Sequence, residues 1–252
     1  MSWIKRKLRK KIRKFYFRVL HGNRMRDLRD ILDKIGQRGG DLFFVQIGGN
    51  DGVGRDPIHA AVTKYQWKGI ILEPQKMVFE ERLKKNYEGV TGVILENKAV
   101  DHQSGTKKLY ELSISDARWA TGLATFDKDT LLKHIENGYI IRHAKNDGLE
   151  VPANWDDMIK EEEVHTTSIT DLLDHHGVEK VNFFHIDTEG YDFEILKMID
   201  FKRTQPTYLY FEHQHLSIKE FKEAVAMLKQ NGFDYVTDKT DTFAFPSGSS
   251  ID

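Results

Sequence analysis

The chain has 252 residues, 39% hydrophobic and 11% aromatic, enough for one large domain with a substantial core. It has no cysteine, which excludes disulfides, thiolate metal sites and a cysteine nucleophile and fits a reducing compartment such as the cytoplasm. The net charge of −1 hides an asymmetry: residues 1–20 carry nine Lys/Arg and no acid, and the remaining 29 basic and 39 acidic residues leave the rest at −10.

Residues 1–40 read as a basic, amphipathic helical arm. Trp3, Ile4, Leu8, Ile12, Phe15, Tyr16, Val19 and Leu20 recur at helical spacing. The arm lacks the unbroken apolar stretch of a signal peptide, and no later run is long enough to span a bilayer. Two readings stand together: the stripe lies on an anionic membrane surface, or it docks on the domain with its charges solvated. The acidic remainder argues against a nucleic-acid partner.

From Asp41 strands and helices alternate. Phe43–Ile47 is a buried strand and 57–65 a helix, with Pro57 suited to its first turn. Strand 69–72 ends at Glu73-Pro74, helix 76–86 follows, and 91–95 is a third strand. An extra strand is expected at 107–112. Residues 113–165, with Trp119, Trp155 and the run "KEEE", break the rhythm and read as an acceptor-side insertion or lid. Alternation then resumes. A helix opens at Ser168, with Asp171 completing a variant capping box. Strand 181–186, helix 191–199, strand 207–211 and helix 218–231 follow. A closing strand pair is expected at 234–237 and 242–245, with a frayed tail at 247–252. The main domain is thus 41–246. Near-continuous apolar strands between helices predict a parallel sheet covered on both faces.

Ligands of such sheets bind beyond the carboxyl ends of the strands. Those ends hold Gly48 to Gly52, then Glu73, then Asn97 to Asp101, then Asp187 to Gly190, then Glu212 to His215. Acids past apolar strands cost desolvation unless they bind something. The opening loop, "FFVQIGGNDGVGRD", has neither the Lys-Ser/Thr of a phosphate loop nor the GxGxxG spacing of a dinucleotide fingerprint. Asp51 would repel a pyrophosphate. A nucleoside without phosphates fits better, and Glu73, 21 residues after Gly52, is spaced like an acid that accepts from ribose hydroxyls. Together these point to S-adenosylmethionine. Taken alone, the loop is better read as a tight strand–helix turn.

The later stretch "FFHIDTEGYDFEIL", Phe183 to Leu196, resembles the DxEG segment of the FkbM family of methyltransferases. "VQIGGNDG", "ENKAVDHQSG" and "TTSITDLL" resemble its other segments, in family order, over roughly Asp41 to Phe245. The resemblance implies an α/β, Rossmann-like class I methyltransferase domain. Its expected sheet is seven-stranded and mostly parallel, with helices on both faces and a last antiparallel strand. It also implies S-adenosylmethionine as cofactor and O-methylation of sugar or polyketide hydroxyls. The expected cofactor set is Gln46, Gly48, Asn50, Asp51, Gly52, Glu73, Pro74, Ala99, Val100 and Asp187. Two positions depart from the family: Gln46 stands where an acid is usual, and His185 where a Lys is usual.

Methyl transfer to a hydroxyl needs a positioned acceptor and a general base. Asp187 is the first candidate base, Glu189 the second and His213 the third. Helix N-terminal charge stabilisation would account for one of the two acids, not both. A metal-assisted variant would place Mg²⁺ or Mn²⁺ on Asp187, Glu212 and His213. Arg118, Trp119, Tyr139, His143, Trp155 and His215 are the expected contacts to a sugar or glycan acceptor, although packing and solvation account for each singly. The competing classes are a nucleotide-sugar oxidoreductase or epimerase and a non-catalytic binding module. The first needs a Tyr-x-x-x-Lys pair that is absent from a suitable place.

Overall fold

The computed structural model describes Met25 and residues 27–249. The apolar stripe expected over residues 1–20 lies outside the described residues. A helix, α1 (Leu28–Gln37), opens the described chain, with the Asp27 carboxylate accepting from Arg29 N at 3.0 Å. Its Leu28, Ile31 and Leu32 are buried with Ala61 and Val62 in one core. Each such side chain contributes about 1.5–3 kcal/mol relative to exposure. This part of the expected arm is therefore packed into the domain.

The main sheet holds seven strands: β1 (Phe43–Ile47), β2 (Lys68–Leu72), β3 (Val93–Glu96), β7 (Phe183–Ile186), β8 (Tyr208–Glu212), β9 (Phe233–Thr237) and β10 (Asp241–Pro246). Their order is β3-β2-β1-β7-β8-β10-β9. β10 runs antiparallel to both its neighbours, and the other pairings are parallel. Successive side chains of a strand face opposite layers, so each strand feeds two cores. Val45, Ile47, Ile70, Leu72, Phe184 and Ile186 pack on one face. Phe44, Ile71, Phe183 and Tyr210 pack on the other.

Helices cover both faces. On the second lie α1, α2 (His59–Tyr65) and α3, a continuous helix built of Lys76–Val78, a π-type turn Phe79–Leu83 and Lys84–Asn86. α2 begins two residues later than Pro57 suggests, because Asp56 Oδ1 accepts from Ile58 N and His59 N and fixes the turn before it.

A second, three-stranded sheet has the order β4-β6-β5: β4 (Ala99–Val100), β5 (Gly105–Leu112) and β6 (Ile159–Thr167). The "KEEE" run lies within β6 rather than in a loop. Lys160, Glu161 and Glu163 are exposed, and two charges pair across the strands: Lys160 with the buried Glu111 at 2.8 Å, and Lys108 with Glu161 at 2.7 Å. Between β5 and β6 sit α4 (Arg118–Thr121), α5 (Lys128–Glu136) and α6 (Tyr139–Asn146). They have their own core, with Ala120, Leu123, Leu131, Ile135 and Ile140 against Leu112 and Met158.

The remaining helices are α7 (Ile169–His175), α8 (Asp192–Met198), α9 (Phe201–Thr204) and α10 (Ile218–Gln230). Ser168 Oγ accepts from Asp171 N at 3.0 Å, the expected cap. Ser217 and Glu220 form a full capping box at α10. Past β10, Ser247 N still donates to Gly232 O at 2.8 Å, so the described part of the tail is tied back to the domain.

Candidate active site

The tips of β1, β2, β7 and β8 and the inner side of the 113–158 segment surround one cavity of about 1170 Å³. At the tip of β1, Gly48 N and Gly49 N both donate to the Leu72 carbonyl, and Asp187 N donates to the Ile47 carbonyl. Gly48 has φ +85°, and a Cβ there would lie 1.9 Å from the Asp187 carbonyl oxygen. Only glycine lets the first and fourth strand tips meet this closely.

Glu73 closes the tip of β2. One carboxylate oxygen accepts from Gln75 N at 2.8 Å and Gln75 Nε2 at 3.1 Å, and the other from Asn50 N at 2.7 Å. A carboxylate has about four lone-pair sites, so one remains for a ligand hydroxyl. Burial pushes its pKa up to about 7 despite these donors. Gln75 Nε2 also donates to the Thr121 carbonyl, tying β2 to α4.

The far side of the cavity is acidic. Asp187, Glu189 and Glu212 bring carboxylate oxygens within 4.8 Å of one another. At about 4 Å and an effective dielectric of 20, two such charges repel by roughly 4 kcal/mol. Burial first, and the neighbouring Glu189 second, raise both Asp187 and Glu212, the latter to about 11. Asp187 sits deep in the molecule yet is exposed to the cavity. His215 Nε2 lies 3.2 Å from Glu189 Oε2 and 3.3 Å from Glu212 Oε2.

A run of aromatic rings adjoins the acids through His215. Trp119 stacks on His143 with ring centroids 5.2 Å apart, His143 meets Tyr139 at 4.5 Å, Tyr139 meets His134 at 5.7 Å, and His134 meets His215 at 5.7 Å. All five line the cavity.

The structure thus brings together Gly48, Asn50, Glu73, Pro74, Ala99, Val100, Asp187, Glu189, Glu212, His215, Arg118, Trp119, Tyr139 and His143 around one space. Gln46, Asp51, Gly52, Trp155 and His213 do not line it. Gln46 is buried and donates to Asp56 Oδ2 at 2.7 Å. An acid at this position would face a second carboxylate, that of Asp56. Asp51 folds back on its own loop, accepting from Val53 N, Gly54 N and, at 2.6 Å, Arg118 Nη1. Gly52 is a structural position: a Cβ would meet the Tyr87 ring at 2.5 Å. Trp155 stands on the outer surface, 39% exposed. His213 is a core residue, fully buried, its Nδ1 2.9 Å from Thr242 Oγ1 and its ring against Phe221. The residue that joins Asp187 and Glu212 is therefore Glu189, not His213.

Sequence reasoning missed His134, Gln75 and Thr121. Gln75 lies two residues past Glu73 and was within reach of the strand-tip rule. His134 and Thr121 enter from the inserted segment, where no spacing marks them. His185, read as a strand residue, is buried between Gln46 and Tyr210 and forms part of the cavity floor.

The strand order, with its reversed last strand, and the adjoining tips of β1 and β7 are those of a Rossmann-like class I methyltransferase domain. The methyltransferase FkbM domain pattern matches residues 46–235, and the chain belongs to that family. S-adenosylmethionine is the family's methyl donor. Among curated proteins none matches the chain. Among solved structures, the chain is similar to the METTL16 MTase domain, with TM-score 0.42, 11% identity, and 88% of this chain covered. It spans 65% of the length of that chain. It is similar too to a human methyltransferase 10 domain containing protein, with TM-score 0.43, 13% identity, and coverage of 86% of this chain and 80% of the other. A SAM dependent methyltransferase from Aquifex aeolicus matches with TM-score 0.38, 11% identity, and coverage of 87% and 90%. These likenesses are remote.

Proposed function

We propose that the protein transfers the methyl group of S-adenosylmethionine to a hydroxyl of a sugar or glycan-type acceptor. The observation that carries this reading is the open carboxylate of Asp187, facing the cavity at the meeting of the β1 and β7 tips, in the same cavity that the aromatic run of Trp119, Tyr139 and His143 lines. Aromatic faces suit the C–H surfaces of a sugar ring, and a carboxylate suits its hydroxyls. The cofactor's ribose would lie at Glu73, its methionine end at Gly48 and Asn50, and its methyl toward Asp187.

In the reaction the acceptor oxygen attacks the methyl carbon in line with the carbon–sulfur bond. That bond breaks with its electron pair moving to sulfur, which becomes a neutral thioether. The hydroxyl proton passes to Asp187, with Glu189 beside it. The donor thus supplies the leaving group, and the protein aligns the acceptor and takes one proton.

Incubation with methyl-labelled donor and a panel of sugars, nucleotide sugars, lipid-linked sugars and RNA tests the reading. Label in an ether on a sugar hydroxyl supports it; label only in RNA contradicts it.

The reading includes a peripheral, cytoplasmic-face location with a lipid-linked acceptor, supported by the nine basic residues and apolar stripe of residues 1–20. Among the described residues no helix is long and apolar enough to cross a membrane. Deleting residues 1–20 is expected to abolish co-sedimentation with anionic liposomes and leave soluble-acceptor turnover in place. Unchanged sedimentation would refute the membrane contact.

A further inference from the structure

Proton removal needs one carboxylate, yet three converge at the tips of β7 and β8. Asp187 and Glu189 come from one loop, Glu212 from the neighbouring strand, and an oxygen of each lies within 4.8 Å of the others. Among the described residues no Lys or Arg lies in ion-pair contact with any of the three; Arg118, whose charge acts on Asp187, is itself paired with Asp51 at 2.6 Å. A second observation concerns Glu212 itself. Its side chain is nine-tenths buried, 10% of it being exposed. Oε1 accepts from Gln214 Nε2 at 2.5 Å, whereas Oε2 is buried and accepts no hydrogen bond. His215 Nε2, 3.3 Å from that oxygen, is also buried without a hydrogen bond, so the imidazole does not satisfy it.

We propose that Asp187, Glu189 and Glu212 hold a divalent cation of the Mg²⁺ or Mn²⁺ kind, with His215 Nε2 at its edge. The donors are hard oxygens with one imidazole, and this chain has no thiolate to favour a softer ion. All four residues line the cavity, so the cation's remaining positions face the acceptor space. A hydroxyl bound there would be fixed in place and would release its proton more readily. This catalytic use rests on the methyltransferase reading; cation binding itself does not.

The test uses the full-length protein and Mn²⁺ as probe, with free Mn²⁺ followed by electron paramagnetic resonance and bound Mn²⁺ by calorimetry. One Mn²⁺ per chain is expected, displaced by Mg²⁺. Glu212→Gln and Glu189→Gln are each expected to weaken it by about tenfold or more, with donor affinity within about twofold of the parent. No stoichiometric binding up to about 1 mM Mn²⁺ would overturn the site and leave protons as the neutralising charge. Binding indifferent to both variants would overturn it too. If circular dichroism shows Glu212→Gln unfolded, Glu189→Gln, on a partly exposed loop, carries the test. Mn²⁺ bound without methyl transfer to any sugar contradicts the acceptor reading alone. Turnover undiminished by chelator, with no Mn²⁺ bound, overturns the cation site alone.

Discussion

Replacing Glu73 by Gln tests the proposed contact to the cofactor's ribose. Three of its lone-pair sites are taken by Gln75 N, Gln75 Nε2 and Asn50 N, so one ribose hydroxyl, rather than both, has a free acceptor. A hydrogen bond to a charged group is worth about 1.5–3 kcal/mol, so the variant should bind S-adenosylmethionine about 10- to 150-fold more weakly. The amide also turns a donor toward a buried backbone N–H, at a cost to stability of about 1–3 kcal/mol. Calorimetry on protein shown to be folded separates the two effects.

The pH dependence gives a second reading of the same group. The folded pKa is raised to about 7 from 4.5, so the folded state holds a proton that the unfolded state has released. Glu73 therefore favours folding fully below pH 4.5, and that contribution fades as pH rises through about 7. In the proposed contact ribose binding runs the opposite way, because there the ionised carboxylate would be the acceptor. Donor affinity should rise about tenfold per pH unit below 7 and level off above it, and the Gln variant should be flat. Wild-type affinity unchanged across pH 5.5–8, together with full affinity in the Gln variant, would refute the ribose contact.

Other consequences follow from single contacts. Gly48→Ala should lose more than about 2 kcal/mol in denaturant unfolding, since the added Cβ meets the Asp187 carbonyl at 1.9 Å in left-handed backbone; unaltered stability would mean the two strand tips do not touch. Gln46→Glu should cost about 2–4 kcal/mol at pH 8 and less at pH 5, because it sets a second carboxylate beside Asp56; a pH-independent cost would point to packing alone. His213→Ala should lower the melting temperature, at about 1–3 kcal/mol, while kcat of the folded fraction stays within about tenfold, as expected of a core histidine. A larger selective loss of kcat would return His213 to the chemistry.

The main sheet is legible in the sequence because its strands are buried on both faces and read as unbroken apolar runs, such as Phe43–Ile47 and Phe183–Ile186. The strand-tip rule then locates Gly48, Glu73, Asp187 and Glu212 without any contact information. It fails for His213, which follows Glu212 directly but points the other way along an extended chain, into the core beside Phe221. It fails for Gln46 because the partner that explains it, Asp56, lies across the turn with no spacing to announce it. The second sheet is obscured because the charges of "KEEE" mask an alternation whose compensation, Lys108 and Glu111, sits on another strand. His134 reaches the site only through the packing of α5, which a local pattern cannot report.

The most direct test of the whole account is the chemical position of the transferred methyl. With methyl-labelled S-adenosylmethionine and the sugar, lipid-linked sugar and RNA panel, mass spectrometry should find one added methyl as an ether on a sugar hydroxyl. That product should be lost in Asp187→Asn protein that still binds the donor. Label on a base nitrogen of RNA, or sugar methylation undiminished in Asp187→Asn, would contradict it.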